Sequence, residues 1–271
     1  MFHKYLKPAS WNNIPHPPIA GLKPYQVIAQ DGSDTGLFTG YFEPTLRGSF
    51  TKKPPYLHPV YAAPTDMPIM PDRAEIAAGA LANKNLELLY VDDAVDLFFA
   101  HVQGSAAVQM DDGKIQRISF AAKSGHPYTA IGKTLKDRGA LHLPITMDSI
   151  KAWLREHPDQ QQEIFNTNAS HIFFKRNDAN GPVGASGEAL IAEQSLAIDD
   201  SIWPYGLTVI VRTTDPREAG KPFIRVMRTQ DKGSAIRGVI RGDIYFGSGD
   251  EAAQKAGPMN AQGQMWVCLP E

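Results

Sequence analysis

The sequence predicts a mainly β protein in which one domain is assembled from both ends of the chain. Three observations point there. Glycine (23) and proline (21) are both frequent among the 271 residues, and they punctuate many short apolar runs. That is the pattern of short strands joined by turns, not of a helical bundle. Proline-rich sequence then gives way to helix-start signals just after Pro71, and β-type runs return near His171. A β domain of residues 1–70 and 171–271, interrupted by a mixed domain of residues 71–170, accounts for all three. The length is enough for one large or two small domains.

The elements follow in order. Residues 1–24 carry Pro8, Pro15, Pro17, Pro18 and Pro24, so they read as an extended arm laid over the surface. Leu37–Phe42 reads as a strand, and 54–71 is again proline-rich. Asp72 with Glu75 three residues on is a capping-box signature for a helix to about Leu81. Val95, Phe98, Phe99 and Val102 recur at helical spacing and predict a helix over 93–103 with a core-facing stripe. Residues 105–121 read as a hairpin turning at Asp111-Asp112-Gly113. Ile131–Arg138 is a helix stopped at Gly139, and Met147–Glu156 is another, capped by Thr146. Strands are expected at 172–175, 207–212, 223–228 and 265–269.

Composition narrows the function classes. A net charge of −2 offers no basic field for nucleic acid. The single cysteine, Cys268, has no disulfide or metal partner and reads as a buried strand residue. No run of eighteen apolar residues is present, so no helix is expected to span a membrane. The eight histidines show no i,i+4 pair and no cysteine or acidic partner at ligand spacing, so neither metal nor cofactor is expected. The first residues have neither a signal-peptide core nor a lipobox cysteine, and any export segment or lipid anchor is expected to lie outside this chain.

The most informative stretch is 228–250. Asp231 and Asp243 sit among glycines, and Asp243 directly precedes the apolar run Ile244-Tyr245-Phe246. A carboxylate so placed is partly desolvated and its pKa is raised, which suits a general acid near neutral pH. Asp250 and Glu251 follow closely but read as the first turn of a helix, outside any site.

These residues resemble a known family. Asp231-Lys-Gly-Ser-Ala-Ile-Arg-Gly238 followed by Asp243-Ile-Tyr-Phe resembles the 3D domain, named for three aspartates. Asp199, in Ser195-Leu-Ala-Ile-Asp199 ahead of Pro204-Tyr-Gly206, fits the remaining aspartate. Gly40-Tyr-Phe-Glu-Pro44, Val102-Gln-Gly-Ser105, Ala122-Lys-Ser-Gly-His-Pro-Tyr128 and Gly181-Pro-Val-Gly-Ala185 resemble stretches of the membrane-bound lytic murein transglycosylase A family. The resemblance runs from about Gly40 to Val267. It departs from the family at Ser234, which stands where a glycine is usual, and in an Asp231–Asp243 spacing about one residue longer than in some members.

The resemblance implies a double-psi β-barrel interrupted by a second, smaller, mixed β-rich domain, with a glycan groove between them. It implies non-hydrolytic cleavage of the β-1,4 bond between N-acetylmuramic acid and N-acetylglucosamine in peptidoglycan, leaving 1,6-anhydromuramic acid ends. The C6 hydroxyl of the substrate attacks its own C1, so one carboxyl suffices as acid and then base, and its place falls on Asp243. Asp231 and Asp199 would orient Asp243 or bond the sugar. Tyr41, Glu43, Gln103, Ser105, Lys123, His126 and Tyr128 are candidate glycan contacts, because saccharide grooves need amide, hydroxyl and exposed aromatic groups. Relatives often carry a threonine or another polar residue at the position of Glu43. The expected partner is a peptidoglycan glycan strand, with no nucleic acid. The protein is expected to be a monomer, periplasmic or attached to the outer membrane of a Gram-negative cell through a lipid anchor.

Two other readings compete. A non-catalytic, expansin-like glycan-binding barrel would also carry a lone aspartate, but the aspartate triplet and the inserted domain argue against it. An aspartic-protease-like site would need a second Asp-x-Gly triplet to share a proton, and the chain has none.

Overall fold

The computed structural model describes residues 2–179, 181–218 and 220–271. In chain order the strands and helices are β1 (Leu6–Pro8), β2 (Leu22–Val27), β3 (Gly36–Glu43), β4 (Thr45–Ser49), β5 (His58–Tyr61), α1 (Arg73–Ala77), β6 (Glu87–Val91), α2 (Ala94–Gln103), β7 (Ser105–Met110), β8 (Ile115–Lys123), α3 (Ile131–Asp137), α4 (Met147–Glu156), α5 (Gln161–Asn166), β9 (Ile172–Asn177), β10 (Ser195–Ile198), β11 (Thr208–Thr214), β12 (Pro222–Lys232), β13 (Arg241–Ser248), α6 (Gly249–Ala256) and β14 (Asn260–Pro270). They form two compact units, one of residues 1–42 with 183–271 and one of residues 43–182.

The first unit is a barrel. Its strands run β14-β11-β12-β10-β13-β3, and β3 pairs back onto β14 to close a six-stranded ring. Closure depends on the length of β14. Asn260–Gly263 pairs with β3 and Gln264–Cys268 pairs with β11, so one strand bridges both ends of the sheet. Full closure removes the exposed edges that an open sheet would leave. Strands β10 and β12 run parallel, whereas β10 and β13 run antiparallel. The arm at the start of the chain is not wholly extended. It contains short 3-10 turns at Phe2–Tyr5 and Trp11–Asn13, and its strands β1 and β2 extend the sheet alongside β14.

Successive side chains of a strand point to opposite faces, and burial shows which face is inside. Phe38, Leu196, Ile244, Phe246 and Phe223 are all buried, and the rings of Phe223 and Phe246 lie 5.9 Å apart. Burying a side chain of this size contributes roughly 1.5–3 kcal/mol relative to exposure. Two glycines make room for these rings. A Cβ on Gly40 would come within 2.7 Å of the Phe246 ring, and one on Gly242 within 2.8 Å of the Phe38 ring and 2.9 Å of Leu196. Gly40 and Gly242 therefore face inward. Their neighbours Thr39, Tyr41 and Asp243 face outward.

The second unit is a mixed six-stranded sheet, β5-β6-β4-β7-β8-β9, with helices packed on it. Helix α2 is buried on two sides. Leu97 and Ala100 pack with Leu46, Leu89, Val108 and Phe174 of the sheet, while Val95, Phe98 and Phe99 pack with Ile131, Leu135, Leu154 and Phe165 of the other helices. Local signals placed its elements. Asp93 caps α2, and Gly104 ends it with φ 82°. The Asp72–Glu75 capping box is present, but α1 stops at Ala77, because Gly79 turns the chain with φ 100°. The buried Arg73 donates to the carbonyls of Asn168 (3.0 Å) and Ser170 (2.7 Å), tying α1 to the segment that leads into β9.

The unit boundaries differ from the expected 70/71 and 170/171. Residues 43–70 and 171–182 belong to the second unit, because β4 pairs with β7 and β6, β5 with β6, and β9 with β8. The second unit thus takes about half of the chain and is not a smaller insert. The proline-rich composition of 54–71 marked loops inside it, not its edge. Among the described residues no helix is long and apolar enough to cross a membrane.

Candidate active site

The outer face of the barrel gathers Asp231, Asp243, Thr39 and Tyr41 by register. Ala197, at the centre of β10, is the Cα partner of Asp243 on one side and of Asp231 on the other. Residues directly paired across strands share a face, so the two aspartates flank Ala197 on the same surface, with α-carbons roughly 10 Å apart at two strand spacings.

A bulge makes this possible. Leu196 pairs with Thr229, but Ala197 pairs with Asp231, so Gln230 is an extra residue in β12. Without it Ala197 would face Gln230, and Asp231 would point the other way. Bulges commonly re-aim a side chain beside a functional site. Gln230 turns away into a buried bond with Ser195 Oγ at 2.7 Å.

Each carboxylate has its own surroundings. Asp231 Oδ2 accepts from the Tyr41 hydroxyl at 2.8 Å, and Oδ1 accepts from the backbone N–H of Ala185 (3.0 Å) and of Lys232 (2.9 Å). Burial raises its pKa, and these donors oppose the rise. Burial also lifts the Tyr41 phenol well above its ordinary range, with Asp231 adding to the effect. The Tyr41 and Tyr245 rings lie 5.3 Å apart on this surface.

Asp243 Oδ1 accepts from the Thr39 hydroxyl at 2.5 Å, and this is the only hydrogen bond of the carboxylate among the described residues. Desolvation is the main cause that pushes its carboxyl up to about 6, and the Asp231 charge adds to it. The Thr39 bond and the Arg241 charge pull the other way. A carboxyl that holds its proton to about pH 6 and has one oxygen unbonded can act as a proton donor.

The third aspartate behaves differently. Asp199 is 4% exposed. It accepts from Ser201 Oγ (2.6 Å), Ser201 N (3.1 Å), Arg237 (2.9 Å) and Gly238 N (2.8 Å). Burial alone would raise its pKa, but these donors outweigh it and hold the carboxyl at about 2. None of its hydrogen bonds goes to Asp243 or Asp231. It anchors the 233–240 loop between β12 and β13, so its support of the pair is indirect.

The remaining candidates belong to the second unit. Glu43 is fully buried and pairs with Arg117 at 3.4 Å. It corrects the expectation of a glycan contact, since a 0% exposed carboxylate presents nothing to a ligand. His126 Nε2 donates to the Met70 carbonyl at 2.8 Å, so its ring fastens the 124–130 loop. Tyr128 is 49% exposed and borders a cleft of about 410 Å³ with Phe98, Val102 and Ile131. Gln103 ends α2 and Ser105 opens β7, while Lys123 closes β8. All three keep partial exposure. Among the described residues no group of three His, Cys, Asp or Glu side chains is placed to hold a metal.

Thr39 and Arg241 were not singled out by sequence, yet both touch the site. The signal was available: each lies two residues before a candidate, Tyr41 and Asp243, and so on the same face of its strand.

Comparison with known proteins identifies the family. Residues 37–175 match the MltA specific insert domain, and residues 194–269 match the 3D domain. The chain is 35% identical over 254 residues to membrane-bound lytic murein transglycosylase A of Escherichia coli K12, covering 91% of this chain and 69% of that protein. The crystal structure of E. coli MltA with bound chitohexaose superposes with a TM-score of 0.86 at 34% identity, over 92% of this chain and 76% of the other. A membrane-bound lytic murein transglycosylase from Agrobacterium tumefaciens gives 0.82 at 34% identity, over 92% and 77%. With the insert-domain segment and the 3D segment matched in order, and a relative 35% identical over 91% of the chain, this chain belongs to the membrane-bound lytic murein transglycosylase A family.

Proposed function

We propose that this protein is a peptidoglycan lytic transglycosylase that uses Asp243 as its single general acid and base. The observation that carries the proposal is the Asp243 carboxyl, desolvated until it keeps its proton to about pH 6 and bonded through only one oxygen. The family, the names of its relatives and the member solved with chitohexaose bound support a glycan substrate.

The chemistry balances on one proton. Asp243 gives its proton to the glycosidic oxygen as the C1–O4 bond breaks, and N-acetylglucosamine leaves with a new hydroxyl. The C6 hydroxyl of the muramic acid residue attacks C1, and its proton returns to Asp243 as the C1–O6 bond closes the anhydro ring. The nucleophile is tethered to its target, so orientation replaces a second protein carboxylate. Asp231 supports the acid through its charge, which helps keep the Asp243 proton in place. Gln103, Ser105, Lys123 and Tyr128 are proposed to contact the glycan strand. We place the site of action at the cell wall, with the outer membrane as the point of attachment.

The test is a digest of purified peptidoglycan. Anhydro-ended products are expected, whereas new reducing ends would mean a hydrolase and no products a binder. Asp243→Asn should lose at least about 10²–10⁴-fold in rate, the range typical of general acid–base catalysis, while still pelleting with insoluble sacculi. Near-normal turnover by this variant would move the acid elsewhere, first to Asp231.

A further inference from the structure

The hydroxyl of Thr39 has one proton, and its two partners decide where that proton points. Arg241 Nη2 lies 2.9 Å from Thr39 Oγ1. A guanidinium can only donate, so Thr39 must accept there. Its own proton is left for Asp243 Oδ1, 2.5 Å away. Oδ1 is therefore held as an acceptor whether or not Asp243 is ionised, and the proton that Asp243 gains and loses has to sit on Oδ2.

Arg241 is itself held. Its Nη1 donates to its neighbour's carbonyl at Gly242 (2.5 Å) and reaches the Leu37 carbonyl at 3.4 Å. The guanidinium thus spans β13 and β3 and donates to the Thr39 oxygen.

We propose that Arg241 and Thr39 are positioning residues that confine the catalytic proton of Asp243 to its unbonded oxygen. The proposal rests on the reading of Asp243 as the acid. Without the relay the carboxyl can rotate and share its proton between two oxygens, and only one of them is presented for transfer. The charged and titratable groups around Asp243 are Arg241 on its own strand, Asp231 on β12, Tyr41 on β3 and Tyr245 on β13. The Thr39 bond and Arg241 favour the ionised form, and Asp231 opposes it.

The test compares Thr39→Val, which is isosteric but has no hydroxyl, with Thr39→Ser, which restores it, and with Arg241→Met. Turnover of soluble glycan strands is followed across pH. Thr39→Val should lower kcat on the order of ten-fold, the scale of one hydrogen bond to a charged group. KM should stay unchanged, because the relay acts on the proton and not on glycan binding. The ionised carboxylate loses a donor, so the alkaline limb of kcat/KM should move up by about one pH unit. Thr39→Ser should restore both values, and Arg241→Met should move the limb in the same direction as Thr39→Val. A Thr39→Val enzyme with unchanged kcat and limb, or a Thr39→Ser enzyme as impaired as the valine variant, would overturn the relay. Asp243→Asn in the same assay separates the two ideas: if it is inactive while Thr39→Val is normal, only the relay fails, and if it is active, the acid itself is misassigned.

Discussion

Asp243→Asn should make the barrel more stable at neutral pH even as it removes activity. The folded-state pKa of Asp243 is raised from 3.8 to about 6, so the native state binds this proton more tightly than the unfolded chain does. The contribution favours folding below about pH 4 and is lost as pH rises through about 6, and above pH 7 the desolvated charge is a net cost. A rise of about two units at roughly 1.4 kcal/mol each gives about 3 kcal/mol as the upper bound. Asparagine carries no charge and its amide oxygen can still accept from Thr39. The variant should match the wild type near pH 4 and exceed it by up to about 3 kcal/mol above pH 7. Urea unfolding at several pH values measures this. Trp203 and Trp266, both buried in the barrel unit, are the fluorescence reporters. A variant no more stable than wild type at neutral pH, or a difference that does not change with pH, would refute the assignment of a desolvated, proton-holding carboxyl. The same shift predicts that activity declines above about pH 6, because only about one tenth of Asp243 is protonated at pH 7.

Asp231→Asn removes the charge that helps raise the Asp243 pKa, so the alkaline limb of kcat/KM should move to lower pH, and a limb moving upward would contradict this reading. Gly242→Ala would drive a Cβ into the Phe38 ring and Leu196 and should cost about 1–3 kcal/mol of stability, as overpacking does; an unchanged melting temperature would show that β13 does not pack as described. Activity should survive a strong chelator, since no metal-holding group occurs among the described residues; loss in EDTA that a divalent ion reverses would argue against a metal-free acid–base mechanism.

Much of the second unit was legible because its signals are local. Asp93 and Thr146 cap their helices through bonds to residues two or three positions on. Gly104 and Gly139 end helices by adopting positive φ, and Gly113 turns the β7–β8 hairpin in the same way. Strand β13 was harder to see, because the glycines that the packed interior demands, such as Gly242, resemble turn residues in one dimension; β10 spans only four residues. The 228–250 stretch read as turn-rich for that reason, although Asp231 lies next to the end of one strand and Asp243 within another.

The sequence by itself determined the class and the family resemblance. It marked Asp243 beside the apolar run Ile244-Tyr245-Phe246, without the strand or the surface that carries it. Only the tertiary structure decided what shares that surface. The Thr39–Asp243 bond joins residues 204 positions apart, and the Tyr41–Asp231 bond joins residues 190 apart. The extra residue Gln230 turns Asp231 to the outer face only because β10 runs beside β12 with that register. Glu43 and Asp199 look like equally good site carboxylates in the sequence, yet one is enclosed with Arg117 and the other is consumed by four donors. Caps and turns depend on bonds within a few residues, whereas register, burial and pKa depend on strands that meet only when the barrel closes.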